Sequence, residues 1–104
     1  MKVIFHLNET HRFDHAYGNF YNLNKFSMED QILLMNGDAI KLVQTEIHRL
    51  EKLYGLGVRV LLCANSLRAF EIDETMLPSF CEVVDAGVYT LIEYQQKGYA
   101  YIKP

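Results

Sequence analysis

Apolar and polar positions along the chain alternate between a period of two and a period near 3.6. Lys2 to Leu7 (KVIFHL) is β-branched and aromatic and predicts a first strand. Asn8 to Arg12 is a polar loop, after which Asp14 can cap a helix carrying Tyr17, Phe20 and Tyr21 on one side. Gly18, Asn19, Asn22 and Asn24 make that helix poor by intrinsic propensity. Gln31 to Met35 (QILLM) predicts a second strand, closed by the turn signal Asn36-Gly37-Asp38. Ile40, Val43, Ile47, Leu50 and Tyr54 recur at spacings of 3, 4, 3 and 4, and predict one strong helix stopped by Gly55 and Gly57. Val58 to Leu62 (VRVLL) is the third strand, Ser66 to Phe70 a short helix, and the segment up to Pro78 a turn or further short helix. Cys81 to Val84 (CEVV) is the fourth strand. A last helix directs Val88, Leu91 and Ile92 inward and ends at Gly98, and Tyr99 to Lys103 alternates as a late edge strand.

Five short strands alternating with helices imply parallel βαβ units joined by right-handed crossovers. The second and third strands are apolar at nearly every residue, as parallel strands covered on both faces should be. The predicted fold is α/β, a three-layer α/β/α sandwich with a five-stranded parallel sheet. The 104 residues suffice for one compact domain, 1–104, and no repeat, low-complexity segment or linker divides them.

Composition narrows the function classes. Half the residues are hydrophobic and 22% are charged, so the chain should fold. The 13 acidic and 10 basic residues leave a net charge of −3, which argues against a nucleic-acid or anionic-membrane partner. No apolar run approaches the ~20 residues of a membrane span, and the N-terminus reads as a strand, not a signal peptide, which points to the cytoplasm. Seven Tyr and six Phe are many for a domain with more surface than core, and favour a homo-oligomer that shares apolar surface between subunits.

In open parallel sheets ligands sit beyond the carboxyl ends of the strands. Four polar turns should meet there: Asn8-Glu9, Asn36-Gly37-Asp38, Cys63-Ala64-Asn65-Ser66 and Asp85. Cys63 falls where a buried strand stops and a helix starts, so free backbone N–H groups should point at its sulfur and lower its pKa. Arg68 could add positive charge if the short helix bends it back. The bland alternative is a buried cysteine acting as a small hydrophobe. Cys81 starts its strand at the opposite rim, too far from Cys63 for a disulfide, and reads as a core or lining residue. Asn36-Gly37-Asp38 could present amides to an anion, but reads better as a helix start with Asp38 as N-cap. His6, His11 and His15 cluster around the first strand's exit and could bind a metal or act as a base, but their spacing fits no metal motif, and no cofactor is called for. His48 sits on the exposed face of the strong helix. No Gly-rich phosphate loop is present.

Several stretches together resemble the DsrE/DsrF-like family: LLCANSLRA with Ile72-Asp73-Glu74 shortly after, NGDAIKLV, AYGNFYNL and the ending GYAYIKP. The resemblance spans nearly the whole chain and is nearest to the small single-domain members. It implies a three-layer fold with a five-stranded parallel sheet and a homo-trimer or hexamer. Relatives such as DsrE and the TusBCD complex relay sulfur as a persulfide on a cysteine after the third strand. That role would fall on Cys63 here, with Leu67-Arg68 matching the Leu-Arg pair that follows it.

Two main readings follow. In the first, the protein is a sulfurtransferase-like carrier of sulfane sulfur with Cys63 as acceptor, exchanging with donor and acceptor proteins. Asn65 and Ser66 would donate to the sulfur, Arg68 would lend electrostatic support, and Asn8, Asn36 and Asp38 would line the pocket. In the second, it is a non-catalytic oligomeric binding or scaffold module in which Cys63 is inert. A metal-dependent enzyme built on His6, His11 and His15 is a third, different class.

Overall fold

The computed structural model describes residues 1–104. All five predicted strands form: β1 (Lys2–Leu7), β2 (Asp30–Met35), β3 (Val58–Cys63), β4 (Cys81–Val84) and β5 (Ala100–Ile102). They make one sheet in the order β4-β3-β2-β1-β5, with every neighbouring pair parallel. The helices are α1 (Phe13–Leu23), α2 (Leu42–Thr45), α3 (Ile47–Gly55), α4 (Ala64–Ala69) and α5 (Gly87–Gln96).

This order explains the unequal layers. The chain steps from β1 to β4 in one direction, then returns through α5 to the far edge beside β1. If the crossovers keep one hand, reversing the direction of travel moves the connecting helix to the opposite face. Accordingly α1 to α4 cover one face, where Phe13, Phe20, Val43, Leu50, Leu53 and Leu67 pack on alternate strand residues such as Phe5, Leu33 and Val60. The other face carries α5 alone, with Leu91 against Ile4, Ile32, Leu34 and Leu61. Residues 31–35 of β2 are all buried, as a strand covered on both faces requires. The outer end of α5's face is closed by Arg59, which donates to both carboxylate oxygens of Glu82, to Asp30 and to the Tyr94 hydroxyl.

Four expectations are corrected. The strong helix is not continuous: a 3-10 turn over Gly37–Lys41 leads into α2, and Glu46 breaks from helical backbone (φ −129°, ψ 31°) before α3. Hydrogen bonds run on through the break, Glu46 N–H to Leu42 and Leu50 N–H to Glu46, so the spacing of apolar residues does not register it. The phase does change: Leu50 and Leu53 are buried while Tyr54 is 52% exposed. In α1 the inward row is Phe13, Ala16 and Phe20; Tyr17 is half-buried and Tyr21 is exposed. In α5 the inward row begins at Gly87 and continues through Thr90, Leu91 and Tyr94, leaving Val88 and Ile92 65% and 54% exposed. Both candidate rows have helical spacing, and the close approach of Gly87 to the sheet selects the one that is buried. Asp38 does not cap: Asn36 precedes the 3-10 turn and gives it no side-chain cap, while Asp38 sits in its first turn. No helix is long and apolar enough to cross a membrane.

Candidate functional site

The carboxyl ends of β3 and β4 are where the chain's exits diverge. β3 leads into α4 on one face and β4 into α5 on the other, the topological position at which parallel sheets place ligands. Cys63 ends β3 at this point. Because Val58, Val60 and Leu62 point to the four-helix face, the alternation turns Cys63 toward α5. Its extended backbone (φ −74°, ψ 121°) stands directly before α4, whose first N–H groups have no partner within the helix.

Those free donors meet the sulfur. Gly87 N–H at the start of α5 donates to Cys63 Sγ at 3.3 Å. Burial opposes ionisation of the thiol and is the largest single influence. Donation from Gly87 N–H, from Ser66 through both N–H and hydroxyl, and from Asn65 N–H together outweighs it, so the Cys63 pKa lies below that of an ordinary thiol. The Ser66 hydroxyl is itself held, since its oxygen accepts from Gly37 N–H at 2.9 Å. Gly37 must be glycine at this point: its φ is +56°, and a Cβ would stand 3.1 Å from the Asn8 carbonyl oxygen.

A second set of contacts approaches from the other side. Asn36 packs against Gly87, where a Cβ would meet Asn36 Nδ2 and Leu34 Cδ2 at 3.3 Å. Asn36 Oδ1 lies 2.9 Å from His6 Nε2, and His6 Nδ1 lies 2.6 Å from the Tyr101 hydroxyl. An amide oxygen only accepts, so Nε2 carries the ring proton and Nδ1 accepts from the tyrosine.

Of the residues predicted for the site, Cys63, Ser66 and Asn36 do converge. Asn65 contributes its N–H, while its side chain accepts from the Arg68 guanidinium on the exposed side of α4. Asn8 takes part through its carbonyl at Gly37. Asp38 stands in the neighbouring turn with Oδ1 buried and without a hydrogen-bond partner. Gly87 and Tyr101 were missed, and His6, read from the sequence as a candidate metal ligand or base, enters instead as a hydrogen-bond partner of Asn36. A glycine just after the fourth strand's exit was a readable signal for Gly87. Tyr101 had none, because its place depends on β5 landing beside β1.

The sulfur does not lie open on the rim where the four polar turns would place it. Cys63 is 5% exposed, covered by the start of α5. A recess of about 490 Å³ runs along Val84, Asp85, Ala86 and Tyr89, and Cys63 does not line it. The largest cavity, about 730 Å³, lies apart, between α1 and the β1–β5 edge, among Val3, Leu23, Phe26, Met28 and Ile102. Cys81 packs against the four-helix core, and burial pushes its thiol up to about 11. Both cysteines are free and turn to opposite faces of the sheet. His11 pairs with exposed Glu9 at 4.0 Å, His15 and His48 are exposed, and no three His, Cys, Asp or Glu side chains converge as metal ligands.

The fold and site therefore define a small parallel-sheet protein with a hydrogen-bonded thiol at its switch point. Residues 19–104 match the DsrE/DsrF-like family, and the chain belongs to it. It is similar over 99% of its length to MTH1491 from Methanobacterium thermoautotrophicum, a protein of unknown function, with a TM-score of 0.90, 27% identity and 98% of that chain covered. BT1422 from Bacteroides thetaiotaomicron, also of unknown function, shares the fold with a TM-score of 0.81, 14% identity, and 99% and 94% of the two chains covered. No curated protein matches the sequence.

Proposed function

We propose that the protein is an intracellular carrier of sulfane sulfur, with Cys63 as the acceptor. The observation that carries this reading is the set of N–H donors from Gly87, Asn65 and Ser66 around one sulfur, which favours the thiolate. Membership of a family generally linked to sulfur relay supports it. In the forward step the Cys63 thiolate attacks the outer sulfur of a donor persulfide, R–S–SH. An S–S bond forms to Cys63, the donor's S–S bond breaks, and R–S⁻ leaves with the electron pair. An acceptor thiolate then attacks the same outer sulfur and returns Cys63 as thiolate, with no net oxidation in either step. Asn65 and Ser66 hold the charge on sulfur. Asn36, with Asn8 and Asp38 in the turns beside it, shapes the site, and Arg68 lends positive charge at its rim. The donor must part the seam between α4 and α5, since the sulfur is nearly covered in a single chain.

The test is mass spectrometry after incubation with a low-molecular-weight persulfide. Wild type should gain about 32 Da, one sulfur atom, on the Cys63 peptide. No gain on wild type, or the same gain on Cys63→Ser, ends the proposal. The exposed Val88, Tyr89 and Ile92 of α5 support a homo-oligomer, a trimer or hexamer, which light scattering would reveal as a multiple of 12.1 kDa.

One observation favours the second reading, a non-catalytic oligomeric binding module: Cys63 is covered. In that case iodoacetamide should modify Cys63 no faster than an ordinary buried thiol at any pH, and Cys63→Ala should leave self-association unchanged.

A further inference from the structure

The contacts around Asn36 extend the site beyond the groups that touch the sulfur. His6 and Tyr101 are more than 25 residues from Cys63 in sequence, and neither bonds to it. They are nevertheless joined to it by an unbroken series of contacts. The Tyr101 hydroxyl donates to His6 Nδ1 at 2.6 Å, and His6 Nε2–H donates to Asn36 Oδ1 at 2.9 Å. With Oδ1 so engaged, Nδ2 faces the opposite way, toward Gly87, where a methyl group would meet it at 3.3 Å. The N–H of that glycine donates to Cys63 Sγ. The Asn36 amide thus spans the two groups, its oxygen on the His6 ring and its NH₂ group toward the start of α5.

We infer that His6, braced by Tyr101, is a positioning residue for Cys63: it locks the Asn36 amide, and Asn36 in turn seats the Gly87 N–H on the sulfur. The inference rests on Cys63 being the working group of the site. The design has a physical logic. The first turn of α5 carries no side-chain cap of its own, so its placement depends on what packs against it. Asn36 is a polar side chain packed against it, and a ring nitrogen of His6 holds its oxygen. Tyr101 adds the edge strand to the same assembly: β5 pairs with β1 over only three residues, and the hydroxyl fastens it above the sheet.

The test is the rate of Cys63 alkylation by iodoacetamide against pH, read on the Cys63 peptide by mass spectrometry so that Cys81 does not contribute. His6→Leu keeps bulk and removes the donor; its midpoint should rise by about one pH unit, with the rate at neutral pH about tenfold lower. His6→Gln places an N–H near the same point and should restore most of the wild-type profile. Tyr101→Phe, which keeps the ring on an exposed strand and removes only the hydroxyl, should shift the midpoint in the same direction by less. It carries the test alone if His6→Leu does not fold. Folded variants with unchanged midpoints overturn the inference, as does a His6→Gln profile as impaired as that of His6→Leu. A wild-type protein that takes up no sulfur from a persulfide would end the carrier reading and leave this comparison intact, because alkylation reads only the thiol's environment.

Discussion

Replacing Gly87 with alanine should separate the stability of the fold from the chemistry of its thiol. Gly87 has no left-handed φ, so the backbone itself accepts a side chain. Alanine there should gain about 0.4–1 kcal/mol by restricting the unfolded chain. The new Cβ would stand 3.3 Å from both Asn36 Nδ2 and Leu34 Cδ2, and 3.4 Å from Asn36 Cβ. Neither neighbour yields easily, since Leu34 is fully buried and the Asn36 amide is held by His6. Overpacking of this kind costs about 1–3 kcal/mol, so the net loss should be about 1 kcal/mol and the melting temperature should fall by about 5 °C. The start of α5 is the piece free to move, and moving it lengthens the 3.3 Å contact from Gly87 N–H to Cys63 Sγ. A hydrogen bond to a charged group is worth about 1.5–3 kcal/mol, so its partial loss should raise the thiol's pKa by about one unit. The assays are urea unfolding and the pH profile of Cys63 alkylation. A folded variant whose alkylation midpoint is unchanged would refute the reasoning, because α5 would then not depend on the missing side chain to reach the sulfur.

Gly37→Ala should cost more stability, since about 1–2 kcal/mol of left-handed strain adds to a Cβ placed 3.1 Å from a backbone oxygen; a loss below about 0.5 kcal/mol in urea unfolding contradicts this. Arg59→Met removes contacts to Glu82, Asp30 and Tyr94, but a side chain 37% exposed to water supports only about 1 kcal/mol, and the deficit should shrink in high salt. Equal deficits at low and high salt would mean that packing, not charge, accounts for it. Cys81 gives a prediction in alkaline solution. Burial raises its folded pKa to about 11 from an ordinary 9.0, so above pH 9 the unfolded chain releases this proton more readily than the folded one. Its contribution to stability is complete below pH 9 and is lost as pH rises through 11. The stability difference between wild type and Cys81→Ala should therefore narrow over that window; a constant or widening difference rules the linkage out.

Strand positions and fold class were legible because their signals are local. β2 and β3 are runs of apolar residues that only a sheet covered on both faces can absorb, and Cys63 stood at a strand-to-helix junction whatever the topology. Helix rotation was less legible, since rows one residue apart have the same periodicity. In α5 the choice between Val88 and Gly87 as the start of the buried row was made by the close approach of Gly87 to Leu34 and Asn36. In the 40–54 region a single residue, Glu46, changed the phase while the hydrogen bonds continued through it.

The amino-acid sequence by itself determined the alternation of strands and helices, the parallel sheet and the placement of one cysteine before a run of free backbone donors, because each depends on neighbours along the chain. Only the tertiary structure decided that a second helix, α5, caps the same sulfur and nearly covers it, and that His6, Asn36 and Tyr101 come together beside it. Those contacts arise where the chain reverses direction across the sheet and brings its two ends side by side as the paired strands β1 and β5. Residues nearly a hundred positions apart become neighbours there, and nothing in their local pattern records it.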